Sequence, residues 1–314
     1  MRVFRQLADR TLVLFLGVGI GLAMGYAFAG DIRQQVTVDP APPPVQAVSA
    51  PEPVLPAPTE PAPIECAIPF QPHLLKAVAQ GEKVKVGVFG DSFGDGVWAA
   101  LYNQLPARDR YEVIKFSQQS TGFTRYASLN LEDHVRQQLA DQRVDIAVVS
   151  FGANDTQGVM HNGKFAALLS PAWKEEIGAR IDRYVALLRE HGAIVYWVGL
   201  PVMKKPSFEA DISGMNAFFA ERMKRIDVPF IDTRPMSVDA QGGYAAYLPD
   251  PGTEIPRLIR ANDGIHMSMR GYQRLTGGLA ERIRRYVDEA RAYAARDGLM
   301  PPASTGASQS GPAA

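Results

Sequence analysis

Short apolar runs alternate with amphipathic stretches through the middle of this chain. Five runs rich in β-branched and aromatic residues end in turn residues and are predicted to be strands: 83–89, 111–116, 145–151, 193–198 and 228–231. Apolar residues recur at helical spacing between them, most clearly from Ser170-Pro171 to Gly192, and again after the capping residue Ser268 as far as Val287. This alternation predicts a three-layer α/β/α domain, flavodoxin-like, with a five-stranded, mostly parallel sheet.

The N-terminal residues 1–30 have the pattern of an export segment. Three arginines within residues 1–10 precede residues 11–30, which carry no charge. Twenty uncharged residues are enough for a retained membrane anchor, whereas Ala27-Phe28-Ala29 matches a signal-peptide cleavage site, so both interpretations stay open. A buried helix of a soluble domain is a third alternative. Either export interpretation places the rest of the chain across a membrane.

Two further segments lack the composition of a folded core. In the predicted spacer, residues 31–64, proline occupies ten of the 24 positions from 40 to 63, which favours an extended chain. Residues 298–314, rich in Pro, Ser, Gly and Ala, are predicted to be disordered. The folded domain is therefore expected at residues 65–297, a length sufficient for one buried core.

Charge and cysteine content narrow the functional classes. The 33 basic residues balance 33 acidic residues and no basic run replaces a net charge, so nucleic acid is not an expected partner. Cys66, the single cysteine, cannot form an internal disulfide. The sequence indicates no metal and no cofactor, and four histidines are predicted to be surface or structural residues: His73, His134, His161 and His191. Trp173, Trp197 and Tyr196 are predicted packing residues.

The residues that follow the predicted strands are the first candidates for a site, because ligands of parallel α/β sheets bind beyond the carboxyl ends of the strands. The first strand runs into Gly90-Asp91-Ser92-Phe93-Gly94, followed by a helix predicted over about 96–105. A serine at such a turn can present its hydroxyl at a helix N-terminus, or it can simply cap the helix.

Three later segments add candidate chemistry. Gly122 follows the second strand, where a glycine lets the backbone approach a ligand closely. Asn154 and Asp155 follow the third strand, where an amide could bind an oxyanion or either side chain could cap the next helix. Asp263 precedes His266 by three residues, a spacing that lets a carboxylate fix the imidazole tautomer.

Four sequence blocks contain these candidate residues: Gly90-Asp91-Ser92, Gly122, Gly152-Ala153-Asn154-Asp155 and Asp263-Gly264-Ile265-His266. In this order, the four blocks resemble those of the SGNH or GDSL hydrolases, and in particular an exported bacterial branch. The match spans about 83–287, with long loops around 244–260, and Phe93 stands where the family name has leucine.

The resemblance implies a serine ester hydrolase site without a cofactor. Ser92 would be the nucleophile, His266 the general base and then acid, and Asp263 the group that orients the imidazole. The oxyanion would be held by the backbone amides of Ser92 and Gly122 and by the side chain of Asn154. An α/β-hydrolase is the chemical rival because residues 90–94 also read G-x-S-x-G, but only one strand precedes Ser92 and the acid lies too close to the histidine.

The favoured expectation is a periplasmic serine esterase, tethered to the inner membrane if its N-terminal segment is retained, that removes O-acetyl or other short acyl groups from an envelope glycan. The alternatives are an O-acyltransferase using the same triad and a non-catalytic binder of envelope glycan or protein. An acylated glycan or small ester is the expected partner, and the sequence does not determine the oligomeric state. Residues 156–169 and 244–259 could shape a substrate groove or be ordinary loops, and Arg257 and Arg260 could receive an anionic or carbohydrate substrate.

Overall fold

The computed structural model describes residues 69–297. The predictions for residues 1–30, 31–64 and 298–314, and Cys66, lie outside the described residues. The strands in chain order are β1 (Val84–Gly90), β2 (Tyr111–Lys115), β3 (Ile146–Ser150), β4 (Val159–His161), β5 (Lys164–Ala166), β6 (Ile194–Val198), β7 (Phe230–Ile231), β8 (Tyr247–Pro249) and β9 (Pro256–Leu258). The helices are α1 (Pro72–Ala79), α2 (Ser92–Gln104), α3 (Leu131–Leu139), α4 (Pro171–Glu190), α5 (Pro206–Arg225) and α6 (Met269–Arg296).

Five parallel strands form the central sheet in the order β2-β1-β3-β6-β7. All five correspond to the predicted runs, so the predicted three-layer α/β/α fold is confirmed. This strand order is the flavodoxin-like one, in which the chain leaves the sheet in opposite directions after β1 and β3. The resulting crevice beyond the carboxyl ends of these two strands is where a parallel sheet binds its ligands.

The sheet is buried on both faces, which explains the continuous apolar runs in its sequence. Every residue of β3 and β6 is buried. Trp173, Trp197 and Tyr196 lie in the core, as predicted. Helices α2 and α6 pack closely, and glycine at position 96 of α2 makes room for this contact. A Cβ there would come within 2.0 Å of the Tyr272 ring of α6. Among the described helices, none combines the length and the apolar character needed to cross a bilayer.

The helix after β1 begins earlier than the sequence predicts. It starts at Ser92 rather than near residue 96, because the Asp91 side chain caps it by accepting a hydrogen bond of 2.8 Å from the Phe93 amide. The two later helices begin where predicted: Ser170 caps α4 and Ser268 caps α6 through their side-chain oxygens.

The two segments proposed as groove walls or loops are both β-hairpins. In the first, β4 and β5 place the exposed Met160 opposite the exposed Phe165. In the second, β8 and β9 place the exposed Tyr247 opposite the exposed Leu258. Whether either hairpin contacts substrate stays a prediction.

Candidate active site

Ser92 lies at the junction of β1 and α2, with its hydroxyl at the N-terminus of the helix. Its role as helix cap, the alternative to a reactive serine, is excluded because Asp91 is the capping residue. The partial positive charge of a helix N-terminus stabilises negative charge that develops there. Ser92 has no positive φ angle, unlike Ser120 after the second strand.

A continuous chain of hydrogen bonds joins Ser92 to a histidine 174 residues later in the sequence. Ser92 Oγ lies 2.9 Å from His266 Nε2, and His266 Nδ1 lies 2.6 Å from Asp263 Oδ2. With the proton of the imidazole on Nδ1, where it is donated to the carboxylate, Nε2 is left to accept the proton of the serine. The three residues predicted as a triad are therefore brought together in the order that nucleophilic catalysis requires.

The Asp263 carboxylate is held in its charged form by hydrogen-bond donors. The backbone amides of Ile265 and His266 each donate to Asp263 Oδ1 over 2.9 Å, and the imidazole donates to Oδ2. Partial burial acts to raise the pKa of Asp263, but these donors outweigh it and lower the pKa to about 2. The carboxylate is therefore ionised at neutral pH and can stabilise an imidazolium.

Three donors for an oxyanion are predicted from the sequence. The Asn154 side-chain amide donates one hydrogen to the Thr121 carbonyl over 3.0 Å, which leaves a second N–H on the same nitrogen. Within residues 69–297, the backbone amides of Ser92 and Gly122 donate no hydrogen bond to a protein acceptor. Each of the three predicted donors therefore keeps an N–H without a protein acceptor among the described residues, and its role in binding an oxyanion stays a prediction. The alternative role of Asn154 or Asp155 as a helix cap is excluded, because a hairpin rather than a helix follows them.

A protein side chain requires glycine at position 122. A Cβ at this position would lie 2.4 Å from Asp155 Oδ1. The same carboxylate oxygen accepts hydrogen bonds of 2.8 Å from the amide and the hydroxyl of Thr124. Asp155 thus fixes the loop that carries the Gly122 amide, and the close approach of a ligand to this backbone stays a prediction.

Two buried carboxyl groups support the site, and the sequence did not assign them these roles. Asp91 and Asp155 are both fully buried, and one oxygen of each has no hydrogen-bond partner among the described residues. Burial raises the pKa of Asp91 to about 7, against the opposing effect of hydrogen bonds from the Phe93 and Gly152 amides. Burial also raises the pKa of Asp155. For Asp91, the signal in the sequence was its position as a capping residue directly before the helix that begins at Ser92.

The two arginines proposed as substrate receptors differ in position. Arg257 is half exposed and stands 3.8 Å from Asp250. Arg260 is only 1% exposed and its guanidinium donates to the carbonyls of Val202 and Gly264. The prediction that Arg260 receives substrate is therefore wrong, because its side chain points into the protein, whereas for Arg257 it stays a prediction.

Three of the other four histidines have polar contacts, and two of these three contact carboxylates that the sequence did not indicate. His73 Nε2 lies 3.2 Å from the buried Asp145, and His161 Nδ1 lies 3.0 Å from Glu176. His191 Nε2 lies 2.9 Å from the Gln142 carbonyl oxygen. In the part of the chain that the structure describes, no three His, Cys, Asp or Glu side chains are grouped to hold a metal ion.

The α/β-hydrolase alternative is excluded by the topology. Within residues 69–297, β1 is the first strand and it leads directly to Ser92. The acid and the histidine share one turn between β9 and α6, rather than following different strands. The motif G-x-S-x-G at residues 90–94 therefore does not indicate an α/β-hydrolase.

Three solved structures are among those similar to this chain. A GDSL-like lipase from Bacteroides thetaiotaomicron is 16% identical, with 66% of this chain and 88% of that chain aligned and a TM-score of 0.44. An acetyl xylan esterase is 15% identical, with 64% and 98% aligned and a TM-score of 0.44. The periplasmic domain of a lipopolysaccharide acetyltransferase from Salmonella ser. Paratyphi A is 10% identical, with 66% and 86% aligned and a TM-score of 0.45. Likenesses of this degree leave the reaction and the substrate undecided.

A family model gives the clearest assignment. Residues 85–282 match the family described as "Protein of unknown function (DUF459)", and the chain belongs to this family. No curated protein matches the sequence. The resemblance to SGNH or GDSL hydrolases is confirmed, since the matched region contains all four blocks and the fold connects them in one site.

Proposed function

We propose that this protein is a serine esterase that acts outside the inner membrane and removes O-acetyl or other short acyl groups from a cell-envelope glycan. The observation that carries the proposal is the hydrogen-bonded chain from Ser92 Oγ through His266 to Asp263. Hydroxyl attack on an acyl carbon needs a base, a group that orients the base and donors for the developing charge, and this site has all three.

The reaction proceeds in two halves. Ser92 Oγ attacks the acyl carbon while His266 Nε2 takes its proton, and the resulting oxyanion is bound by the amides of Ser92 and Gly122 and by the Asn154 side chain. The imidazolium then gives its proton to the alcohol oxygen of the glycan, which leaves, and the acyl group stays on Ser92. In the second half, His266 takes a proton from water, the hydroxide attacks, and the carboxylic acid is released as Ser92 regains its proton.

The exposure of the site favours hydrolysis over acyl transfer. The side chains of His266 and Asp263 are 31% and 45% exposed, so water reaches the base that must activate it. Transfer to a sugar hydroxyl by the same triad requires an acyl-enzyme from which water is excluded. An O-acyltransferase is therefore the second candidate, and a non-catalytic binder is the third.

The export segment and the glycan substrate rest on sequence alone. Basic residues before an uncharged stretch, followed by a proline-rich spacer, support delivery of the domain to the envelope. Separation of membrane and soluble fractions, followed by immunoblotting of the full chain, tests the tether. The protein in the membrane fraction at full length supports an anchor, and a shortened soluble form supports cleavage of the segment.

Replacing the proposed nucleophile tests the class of protein. We expect the full-length protein to hydrolyse p-nitrophenyl acetate and to react with a fluorophosphonate probe, and Ser92→Ala to lose both properties. Ser128→Ala, which changes an exposed serine outside the site, serves as the matched control. Full activity of Ser92→Ala would discard the mechanism, and a wild-type protein without labelling or turnover would favour a binding module.

The natural reaction requires a second assay. Acetate release from acetylated envelope glycan, measured with and without an unacetylated acceptor glycan, separates hydrolysis from transfer. Free acetate in equal amounts under both conditions supports the esterase. Appearance of acetyl groups on the acceptor at the expense of free acetate supports the acyltransferase.

A further inference from the structure

Arg260 is a buried cation without an acidic partner. Its side chain is 1% exposed, and no carboxylate of residues 69–297 lies within ion-pair distance of its guanidinium. Burial lowers the pKa of this arginine, which shows that the protein interior disfavours its charge. A charge that is desolvated without a counter-ion is costly, so its presence needs an explanation beyond packing.

The guanidinium joins two segments of the chain. Its Nη2 atom donates to the Val202 carbonyl over 2.8 Å and to the Gly264 carbonyl over 3.1 Å. Val202 belongs to the loop after β6, at the carboxyl edge of the sheet, and Gly264 lies within the turn between Asp263 and His266. The Tyr244 ring covers the guanidinium, with its centroid 4.8 Å from Cζ. Arg260 thus connects the turn that carries the acid and the base to the rigid sheet.

Three backbone hydrogen bonds also support the turn. The Lys204 amide donates to the Gly264 carbonyl over 3.1 Å, the Gly264 amide to the Ala261 carbonyl over 3.3 Å, and the Ala261 amide to the His266 carbonyl over 2.9 Å. Gly264 has a φ angle of +72°, so it needs glycine to form the turn. The side chains of Asp263 and His266 are partly exposed and are held mainly by each other and by backbone amides. Their position relative to Ser92 therefore depends on where the backbone of the turn is fixed.

We infer that Arg260 is a positioning residue, which holds the turn between Asp263 and His266 against the loop after β6 and so keeps His266 Nε2 within hydrogen-bond reach of Ser92. This inference rests on the proposed function for its effect on turnover. A guanidinium suits the task because it is planar, stays charged and donates in several directions, which a lysine ammonium or an apolar side chain cannot reproduce.

Arg136 provides a matched control away from the site. Its side chain on α3 is 54% exposed, and its Nη1 atom donates to Asp133 Oδ1 over 2.8 Å. Arg136→Met makes the same substitution outside the turn and outside the loop after β6. Any effect of Arg260→Met that Arg136→Met does not share is therefore specific to the buried guanidinium.

The test compares Arg260→Met, Arg260→Lys and Arg136→Met in the full-length protein. For Arg260→Met we expect kcat with p-nitrophenyl acetate to fall about 10- to 100-fold while KM stays within about twofold, because misplacement of a catalytic group impairs the reaction more than binding. Arg260→Lys should show a smaller loss and Arg136→Met none. The low-field proton resonance of His266 Nδ1–H, which reports its hydrogen bond to Asp263, should shift or broaden in Arg260→Met and stay unchanged in Arg136→Met.

The outcomes separate a positioning role from a structural one. A folded Arg260→Met protein with wild-type kcat, or with a wild-type low-field resonance, would overturn the inference. A loss of activity that only follows loss of folded protein, seen by circular dichroism, would assign Arg260 to structure and would also overturn it. If Arg260→Met does not fold, Arg260→Lys is judged by the same kcat and resonance criteria. Should Ser92→Ala keep full activity, the proposed function fails, whereas the resonance still decides the role of Arg260.

Discussion

Asp91 and Asp263 are two carboxyl groups of the same candidate site, yet their pKa values are shifted in opposite directions. Asp91 is fully buried, and burial raises its pKa to about 7 although the Phe93 and Gly152 amides donate to it. Asp263 is half exposed, and its hydrogen bonds outweigh the desolvation and lower its pKa to about 2. Both groups accept hydrogen bonds from backbone amides, so the presence of backbone donors alone does not explain the difference.

The difference lies in access to solvent and in the imidazole. Water still reaches Asp263, so its charge costs little, and His266 adds a donor that no group near Asp91 supplies. Asp91 has one oxygen without a partner in a region from which solvent is excluded. We infer that the two sides of the site have different tasks: the exposed carboxylate works as a charge, and the buried carboxyl works as a structural acceptor that shapes the turn before Ser92.

The largest effect is expected from removing the charge of Asp263. Asp263→Asn keeps the size of the side chain but favours the wrong imidazole tautomer, so kcat should fall by about 10⁴-fold. The measurement is the steady-state hydrolysis of p-nitrophenyl acetate, with Asp133→Asn, an exposed aspartate on α3, as the control. An Asp263→Asn enzyme with more than a tenth of wild-type kcat would show that the charge is dispensable.

The buried carboxyl should instead control stability. Because the pKa of Asp91 is raised in the folded state, the native protein binds more protons than the unfolded chain between pH 4 and pH 7, and its stability falls as pH rises through this window. We expect wild type to lose about 3 kcal/mol relative to Asp91→Asn between these pH values. Urea unfolding of both proteins from pH 4 to pH 8 measures this difference. If the free energy of unfolding changed with pH in the same way for both proteins, the pKa of Asp91 would not be raised by folding.

Loss of an oxyanion donor should have an effect of the next size. Asn154→Ala removes one of the three proposed donors and leaves the acid and base in place, so kcat should fall about 100- to 1,000-fold while KM changes little. Asn103→Ala, on the exposed side of α2, controls for the loss of an amide. An equal rise in KM instead of a fall in kcat would assign Asn154 to substrate binding rather than to the transition state.

The smallest effect is expected for the contribution of Asp263 to the free energy of unfolding. Its lowered pKa means that the folded state gains stability from this group above about pH 4 and loses it as pH falls towards 2. Because the side chain is half exposed, the effect should be less than about 1 kcal/mol. Urea unfolding of wild type and Asp263→Asn from pH 5 to pH 2 should give this slope, opposite in sign to that of Asp91. A loss of more than about 2 kcal/mol in the free energy of unfolding would mean that Asp263 also stabilises the fold substantially.

Much of the fold could be predicted because its signals are local. Apolar runs that end in turn residues marked all five strands of the sheet, and Ser170 and Ser268 marked two helix starts. The start of α2 was misplaced because Gly94, in the turn-like run of residues 90–94, disfavours a helix locally. In the structure, Gly96 is required by contact with Tyr272, which is 176 positions away in the chain and invisible to a local pattern.

The sequence also allowed the residues of the candidate site to be predicted, but not the residues that hold its loops in place. The spacing of Asp263 and His266 indicated their pairing, and the order of the four blocks indicated Ser92. Arg260 was interpreted as a residue that could receive substrate, because nothing in its sequence neighbourhood shows that its side chain turns inward to the Val202 carbonyl. The packing of Gly122 against the Asp155 carboxylate was also missed, because the two residues follow different strands.

By itself, the sequence determined the order of strands and helices along the chain and the choice of candidate reactive groups, since both depend on neighbouring residues and short spacings. Only the tertiary structure decided that Ser92 and His266 meet, that Asp91 and Asp155 are cut off from water, and that Arg260 is buried beneath the turn. Burial and electrostatic environment arise from segments that are distant in sequence, and these two quantities determine whether a carboxyl or guanidinium group acts in chemistry or in support.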